Sequence, residues 1–295
     1  MMREPTDLKS GKGVRDENFP VASHLIAARF RQPILGFYRF ARAADDVADH
    51  PQLEEREKLA ALDLLEATLL GRTDAAQDAV PLRRALADSG LTPGHALDLL
   101  TAFRLDVNKR RYRDWDELMH YCSYSAMPVG RFVLDVHGEA RSIWPASDAL
   151  CTALQVINHL QDCGKDYCAL DRVYIPLDAL GAHGIGVEGL ARNKASPQLR
   201  ACLKSLAAKT GELLPNATKL PYQVTSLRLA AETAVIVGLA RRLIQFLLTR
   251  DPLSERVHLT KAGAVAVAAG AASWMGARRV LRQIWPDEIK KGDDR

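Results

Sequence analysis

Residues 155–166 read QVINHLQDCGKD. Four polar side chains in this segment fall at i, i+3, i+7 and i+11, which is one stripe along a helix: Gln155, Asn158, Asp162 and Asp166. Apolar residues flank the stripe on both sides. A polar stripe among apolar neighbours indicates the wall of a cavity rather than an open surface.

Residues 37–49 read FYRFARAADDVAD and repeat the pattern. At about 100° per residue, four side chains share one narrow stripe of a helix: Tyr38, Arg42, Asp45 and Asp49. Asp46 is predicted to point away from that stripe. Like charges at i and i+4 cost a few tenths of a kcal/mol on an exposed helix, and a cation between them would reverse the sign. A solvated acidic face is the alternative for this segment taken alone.

The two stripes together predict a metal site. Two helices that each carry aspartates four residues apart can face one another across a cavity. Hard divalent cations take oxygen ligands, and Mg²⁺ usually combines one or two carboxylates with phosphate oxygens. Several Mg²⁺ ions between these helices would hold a diphosphate and neutralise it as its C–O bond ionises. The arrangement points to carbocation chemistry on a prenyl diphosphate.

The rest of the chain also shows helical periodicity, and strand-like alternation is scarce. The clearest helical windows are residues 52–70, 96–107, 116–125, 148–161, 197–214 and 224–248. Short breaks separate these windows, and no repeat of fixed period occurs. We predict one all-α domain over residues 18–286, between frayed segments at 1–17 and 287–295.

The composition excludes several classes of protein. The chain has 295 residues, with 40 Lys plus Arg against 36 Asp plus Glu, and 47% of it is hydrophobic, which excludes global disorder. The longest charge-free run, residues 262–277, is shorter than the ~20 residues of a membrane helix. We expect no signal peptide after Met1. We expect a cytoplasmic protein whose five cysteines are free thiols.

Two other patterns are weaker. Residues 109–113 read KRRYR, a basic cluster that we interpret as a solvated face, although it could meet an anionic substrate or lipid headgroups. We expect no nucleic-acid partner, because the positive charge is not otherwise concentrated. Residues 184–189 fit G-x-G-x-x-G, but they lie in an all-helical chain, which predicts a surface loop rather than a dinucleotide site.

A third segment, residues 121–130, reads YCSYSAMPVG. Pro128 within a helical window predicts a kink or a freed carbonyl group, and the small Ala126 and Gly130 permit close packing. Tyr121 is placed to present its phenol to the cavity. A buried structural tyrosine is the alternative.

These three segments together resemble the squalene/phytoene synthase family, and the resemblance spans about residues 17–281. It implies an all-α isoprenoid-synthase fold, a helical bundle around a central cavity. Members of the family join two prenyl diphosphates head to head through a cyclopropyl diphosphate intermediate. The two aspartate motifs in order, with Y-C-x-x-x-A-x-x-V-G between them, carry the resemblance.

Finer features resemble the hydroxysqualene-forming subgroup of bacterial hopanoid pathways. They lie in residues 17–23, 38–42, 158–162 and 172–176. Gln161 stands where most phytoene and squalene synthases have a basic residue. The subgroup implies ionisation of presqualene diphosphate and capture of the rearranged cation by water, which gives hydroxysqualene and consumes no nicotinamide. A sibling that condenses two prenyl diphosphates is the alternative, and a catalytically inactive binding protein is a third reading, which the intact motif aspartates disfavour.

The resemblance also implies roles for individual residues. The metal ligands would be Asp45, Asp49, Asp162 and Asp166. The diphosphate and substrate would meet Asn18, Tyr38, Arg42, Gln155, Asn158 and Tyr174. Tyr121 would stabilise or steer the cation rather than act as a strong base, because an unperturbed phenol has a pKa of about 10.

Two positions depart from the pattern or stay open. Met127 replaces a smaller residue, or the Asn usual in the subgroup, and its thioether could reshape the cavity. His159 either positions water or serves as a packing or capping residue. The apolar substrate and product also predict peripheral contact with the inner membrane and partnership with the enzymes before and after it in the pathway.

Overall fold

The computed structural model describes residues 27–260 and, beyond them, residues 263, 267, 269 and 270. Within this part the chain forms thirteen α-helices and no strands, so the all-α prediction is confirmed. In chain order the helices are α1 (Ala28–Ala48), α2 (Glu55–Leu69), α3 (Val80–Ser89), α4 (Gly94–Asn108), α5 (Trp115–Ser125), α6 (Met127–Val136), α7 (Trp144–Gln161), α8 (Cys163–Leu170), α9 (Leu177–Ala182), α10 (Pro197–Gly211), α11 (Leu214–Ala217), α12 (Leu220–Gln223) and α13 (Leu227–Thr249).

Several expectations fall on residues outside this description. They are the frayed segments 1–17 and 287–295, the substrate contact at Asn18 and nearly all of the charge-free run 262–277. The single-domain boundaries at 18 and 286 therefore stay predictions. Among the described helices, none combines the length and the apolar character that crossing a membrane requires.

The buried hydrophobic side chains form two clusters that share α4 and α6. One cluster joins the inner faces of α1, α2, α3 and α4 with Phe132 of α6. The other joins α5, α7, α10 and α13, and it also contains Ala102 of α4 and Leu134 of α6. Helix α1 belongs to the first cluster and α7 to the second. The two helices predicted to carry the aspartates therefore lie on opposite sides of the boundary between the clusters.

The predicted kink at Pro128 takes the form of a complete break between two helices. Helix α5 ends at Ser125, Ala126 leaves helical geometry with φ −122° and ψ −50°, and Pro128 lies in the first turn of α6. Proline is tolerated there because the first-turn N–H groups have no partner inside the helix. The break turns α6 toward α7.

The stripe from Gln155 to Asp166 was predicted on one continuous helix, and this is wrong in detail. Helix α7 ends at Gln161 and α8 begins at Cys163, with Asp162 at the junction. Gly164 permits close packing just after the break, since a Cβ atom there would lie 2.7 Å from Leu253 Cδ2 and 3.1 Å from the carbonyl oxygen of Leu190. The Asp166 N–H still donates to the Asp162 carbonyl at 2.8 Å, so the stripe keeps nearly the same direction.

Of the two weaker patterns, the basic cluster is a solvated face only in part, because Tyr112 within it is buried, and residues 184–189 form the predicted loop. In the basic cluster, carboxylates pair with four cations: Glu117 with Lys109, Asp171 with Arg110 and Arg111, and Asp114 with Arg113. The segment runs beside residues 172–178 through an isolated bridge between Arg111 and Val173. Residues 184–189 form a loop and the start of a short 3₁₀ helix, with no strand before them.

All five cysteines are free thiols, and Cys168 on α8 is the exposed one among them. The other four are buried or half-buried. This agrees with the cysteine pattern read from the sequence, which has no metal-like spacing.

Gly130 sets how closely α6 approaches α7, and this generates a first prediction. A Cβ atom at Gly130 would collide with Ser147 Oγ and would lie 2.6 Å from Cys151 Sγ. We expect Gly130→Ala to lower the free energy of unfolding by about 1–3 kcal/mol, because overpacking forces neighbouring side chains to shift. Urea unfolding measures the change.

Gly211→Ala is the matched control, since its Cβ atom would meet only Ile244 Cγ2 at an ordinary 3.9 Å. That substitution should leave stability unchanged or raise it by up to about 1 kcal/mol through helix propensity. Equal stability of the two variants would show that the α6–α7 contact can relax at no cost.

Candidate active site

A cavity of about 500 Å³ lies between α1, α4, α5, α6, α7 and α13. Ten of the eleven site residues predicted from the sequence line it: Tyr38, Arg42, Asp45, Asp49, Tyr121, Gln155, Asn158, Asp162, Asp166 and Tyr174. The eleventh, Asn18, lies outside the described residues. The structure therefore brings together side chains that are separated by more than a hundred positions in the sequence.

The cavity has a polar and an apolar half. Most of the apolar lining comes from the early parts of α1 and α7 and from neighbouring helices, although the polar Ser147, Glu232 and Thr233 also line this part. The apolar residues are Ile34, Phe37, Phe103, Phe132, Leu150, Leu154, Leu229 and Ile236. The aspartates lie at the C-terminal ends of α1 and α7 and on α8. This division suits a molecule with an anionic head and long hydrocarbon chains.

Helix α1 supplies the first acidic wall. Arg42 Nη1 donates to Asp45 at 2.7 Å, and Arg172 Nη1 donates to Asp49 at 2.6 Å. Asp46 does not line the cavity, as predicted, and its Oδ1 lies 3.5 Å from Arg42 Nη2. Each cavity-facing carboxylate on this wall has one guanidinium partner, which leaves its other lone pairs for a ligand.

The two acidic walls face each other, and their charges interact. Burial raises the pKa of Asp45 to about 7, with a further contribution from the Asp49 charge. Burial and the Asp162 charge likewise raise the pKa of Asp166 to about 7, and Asp49 on the opposite wall adds to the effect. Carboxylates held together against their repulsion favour a bound cation.

The donor set fits a hard divalent cation that also needs ligands from elsewhere. Within the described residues, no three His, Cys, Asp or Glu side chains converge on a complete metal site. The carboxylates come instead as two pairs on facing walls. Mg²⁺ is usually bound by one or two carboxylates together with water and substrate phosphates, so this arrangement matches its requirements.

A buried carboxylate, Asp106 of α4, forms part of the cavity wall and binds two tyrosines. It accepts hydrogen bonds from Tyr121 Oη at 2.8 Å and Tyr174 Oη at 2.7 Å. Burial raises the pKa of Asp106 to about 6, against the opposing charge of Arg172 and the two phenol hydrogen bonds. Burial also raises the pKa of Tyr121 well above 10, so the phenol stays protonated.

Arg172 joins three parts of this end of the cavity. The residue is buried, with 7% of its surface exposed. Besides binding Asp49, its guanidinium donates to the carbonyl oxygens of Asp106 at 3.1 Å and Ala48 at 3.3 Å. Lys58 Nζ donates to the same Ala48 carbonyl at 3.0 Å. Two cations thus meet the C-terminus of α1, where the helix dipole favours positive charge.

His159 is buried in the cavity wall as a neutral ring. Burial, with the nearby positive charge of Arg172, lowers the pKa of His159 to about 3. The ring stacks on Tyr174 with centroids 3.7 Å apart. Its Nε2 lies 3.2 Å from Gln155 Nε2.

The sequence model of the squalene/phytoene synthases matches residues 14–263. The chain belongs to the squalene/phytoene synthase family. The family predicted from the aspartate motifs is therefore confirmed, and the cavity described above is the candidate active site of a family member.

Individual relatives show which members of the family this chain resembles. A hydroxysqualene synthase of Rhodopseudomonas palustris is 57% identical over 92% of this chain and 93% of its own length. That of Zymomonas mobilis is 51% identical over 90% of both chains. The predicted resemblance to hydroxysqualene synthases is confirmed by these identities.

Solved structures agree with the fold. A squalene synthase from Alicyclobacillus acidocaldarius superposes with a TM-score of 0.67 at 28% identity over 92% of each chain. A dehydrosqualene synthase in complex with a ligand superposes with a TM-score of 0.73 at 21% identity, over 89% of this chain and 93% of that one. The isoprenoid-synthase-type helical fold is thus shared.

One sequence-based expectation about this family member needs correction. Met127 does not line the cavity, since the break at Ala126 turns it aside and its sulfur lies 3.8 Å from Arg131 Nη2. Gln161 does not line the cavity either. Its amide donates to the carbonyl oxygen of Val257 and holds the chain beyond α13 against the end of α7.

Sequence reasoning assigned no role to Asp106, and the structure places it at the centre of the buried network. A signal was available, because Leu99, Ala102 and Asp106 share one face of α4 and the other two are buried hydrophobic residues. Arg172 lies in residues 172–176, which carry part of the resemblance, but its three partners come from distant parts of the chain and no local pattern points to them.

The raised carboxyl pKa values predict how stability depends on pH without metal. Unfolded aspartates have a pKa of about 4, so between pH 4 and 7 the folded state holds protons that the unfolded state has released. The free energy of unfolding should therefore fall as pH rises through this range. Solvent reaches 34% of the Asp45 side chain, so we expect a loss of about 1–2 kcal/mol between pH 5.5 and pH 8.

Denaturant unfolding in EDTA at the two pH values measures this loss. Asp45→Asn should reduce it, and Mg²⁺ should reduce it by stabilising the ionised carboxylates at pH 8. Greater stability of the EDTA-treated protein at pH 8, with the substitution making no difference, would show that these carboxylates ionise freely.

Proposed function

We propose that this chain converts presqualene diphosphate and water into hydroxysqualene and diphosphate in a Mg²⁺-dependent reaction. The identity of 51–57% to hydroxysqualene synthases over about nine-tenths of the chain carries this proposal. The half-polar, half-apolar cavity supports it, because presqualene diphosphate has one anionic head and two hydrocarbon arms.

The acidic walls would bind the head of the substrate. Asp45 and Asp49 on one side, and Asp162 and Asp166 on the other, would hold Mg²⁺, which when bound neutralises the departing diphosphate. Arg42 and Tyr38 would contact the diphosphate from α1, and Asn158 from α7. These contacts favour ionisation, in which the C–O bond breaks and its electron pair leaves with the diphosphate.

The apolar half would hold the hydrocarbon arms and limit access of water. The cyclopropylcarbinyl cation left by ionisation rearranges to an allylic cation as the ring opens. One water then donates a lone pair to the cation, forms the new C–O bond and loses a proton. Water must be admitted singly, since bulk solvent would quench the cation before it rearranges.

Tyr121 would face the cation as a neutral phenol. Its hydroxyl donates to Asp106, so the lone pairs of the phenol oxygen stay available. The negative face of the ring would also stabilise a nearby positive charge. A protonated phenol of raised pKa is a poor base, which favours steering of the cation over premature loss of a proton.

A product assay with Mg²⁺ and without NADPH tests the proposal. One reaction receives farnesyl diphosphate and the other receives presqualene diphosphate in ¹⁸O-labelled water. We expect labelled hydroxysqualene from the second reaction alone. Presqualene diphosphate or a hydrocarbon formed from the first reaction would instead assign the chain to the condensing siblings, and inactivity of the folded protein in both would contradict an enzymatic role.

Substitution of either acidic wall should abolish turnover. Asp45→Asn and Asp162→Asn each remove a charge proposed to bind Mg²⁺, so we expect at least about a hundredfold loss of turnover with unchanged helical circular dichroism. Asp63→Asn is the control, because Asp63 is an exposed α2 residue paired with Arg104. Turnover retained in both cavity variants would contradict the proposal that these walls bind Mg²⁺.

Tyr121→Phe should slow turnover about tenfold or change the products, because it removes one hydrogen bond from the buried Asp106 carboxylate. The Mg²⁺ concentration for half-maximal rate should not change. Tyr124→Phe on the same helix is the control, since Tyr124 lies outside the cavity lining. If both variants match the parent in rate and products, Tyr121 is a packing residue.

Membrane and partner contacts belong to the same proposal. The apolar substrate and product favour peripheral contact with a membrane surface and transfer between this chain and neighbouring pathway enzymes. Flotation with lipid vesicles tests the first contact, and absence of the chain from the floated fraction would argue against it.

A further inference from the structure

His159 and Gln155 form a hydrogen-bonded pair in the cavity wall. They lie one turn apart on α7, both line the cavity, and their Nε2 atoms are 3.2 Å apart. The nitrogen of a carboxamide carries two hydrogens and cannot accept, so the imidazole nitrogen is the acceptor. The His159 ring is therefore neutral, with its proton on Nδ1.

Tyr174 and Asp106, which also line the cavity, fix the plane of the His159 ring. The ring stacks on Tyr174 at 3.7 Å with an interplanar angle of 19°, and the Tyr174 phenol is held by Asp106 at 2.7 Å. The low pKa of about 3 agrees with a ring that stays neutral at working pH. The orientation of the Gln155 amide thus depends on a side chain that is itself rigidly held.

Because the amide is planar, the orientation of its NH₂ group also sets the orientation of its carbonyl oxygen. With its NH₂ group turned to His159, Gln155 must direct its carbonyl oxygen away from the imidazole. Within the described residues that oxygen accepts no hydrogen bond, although Gln155 lines the cavity. It is a polar acceptor facing a space that a ligand or water enters.

The position of Gln155 along α7 is equally specific. The lining residues before it on this helix include Leu150, Cys151 and Leu154, and those after it are Asn158, His159 and Asp162. Gln155 therefore stands at the boundary between the apolar and polar halves. A cation formed beside a departing diphosphate arises at this boundary.

We propose that His159 is a positioning residue that turns the Gln155 carbonyl oxygen into the cavity, and that this oxygen binds the water captured by the cation. The inference rests on the proposed function and names the site of its water. The bound water donates one hydrogen to Gln155 Oε1 and directs a lone pair at the cation. As the new C–O bond forms, the water loses its other proton to an oxygen of the departed diphosphate, which balances the reaction.

Two substitutions of His159 separate positioning from packing. His159→Leu removes the acceptor and keeps an apolar side chain of moderate size. His159→Gln supplies an amide oxygen near the place of the ring Nε2, so it can still accept from Gln155. Each variant is given presqualene diphosphate with Mg²⁺ in ¹⁸O-labelled water, and diphosphate release and labelled hydroxysqualene are measured separately.

We expect His159→Leu to release diphosphate at nearly the parent rate, with about a tenfold smaller fraction of hydroxysqualene, the effect of one lost hydrogen bond. The remainder should appear as products of proton loss or of recapture by diphosphate. His159→Gln should restore the hydroxysqualene fraction. An unchanged fraction in His159→Leu, or equal losses in both variants, would overturn the positioning role.

Gln155→Leu provides an independent test if His159→Leu folds poorly. It should lower the hydroxysqualene fraction to the same extent, and the double variant should lose no more than either single variant, because both remove one water site. Additive losses would overturn the inference. If the parent protein itself makes no hydroxysqualene, the proposed function fails, and that outcome is distinct from all of these.

Discussion

The polar end of the cavity depends on one buried guanidinium. Arg172 binds the Asp49 carboxylate and the carbonyl oxygens of Ala48 and Asp106, so it joins the ends of α1 and α4 to the chain that follows α8. A buried cation is tolerated only when it is paired and hydrogen-bonded. Its charge also opposes the rise in the pKa of Asp106 and lowers that of His159. The acidic wall, the tyrosines and the imidazole therefore share one electrostatic partner.

The same arrangement that favours a bound cation costs the folded protein stability. Desolvation and mutual repulsion raise the pKa of Asp45 and Asp166, and the fold has to hold them together until a ligand arrives. Such strain is common at binding sites, where function and stability are in conflict. The apolar walls supply the compensating burial, and Gly130 allows two of these walls to approach closely.

Local periodicity was enough to predict the longer helices and the two aspartate stripes, because a helix repeats every 3.6 residues whatever surrounds it. It failed where residues far away in the sequence pack against the segment. Leu190 and Leu253 pack against Gly164 just after the break at Asp162, and the Gln161 amide is held by the carbonyl oxygen of Val257. For Asp106 the sequence contains a weak local signal, a charged residue on an otherwise hydrophobic face of α4. For Arg172 there is none, since its partners meet only in the folded molecule.

The separation of these contacts along the chain has a consequence for folding. Asp49 and Arg172 are 123 positions apart, and Gln161 and Val257 are 96 apart. Contacts between such distant positions form late, because much loop entropy must be lost first. During synthesis α1 therefore carries its acidic stripe in water, where the charges repel only weakly. The repulsion becomes costly in the last stage of folding, when the second half of the chain closes over it. A ligand that relieves it should slow unfolding far more than it speeds folding.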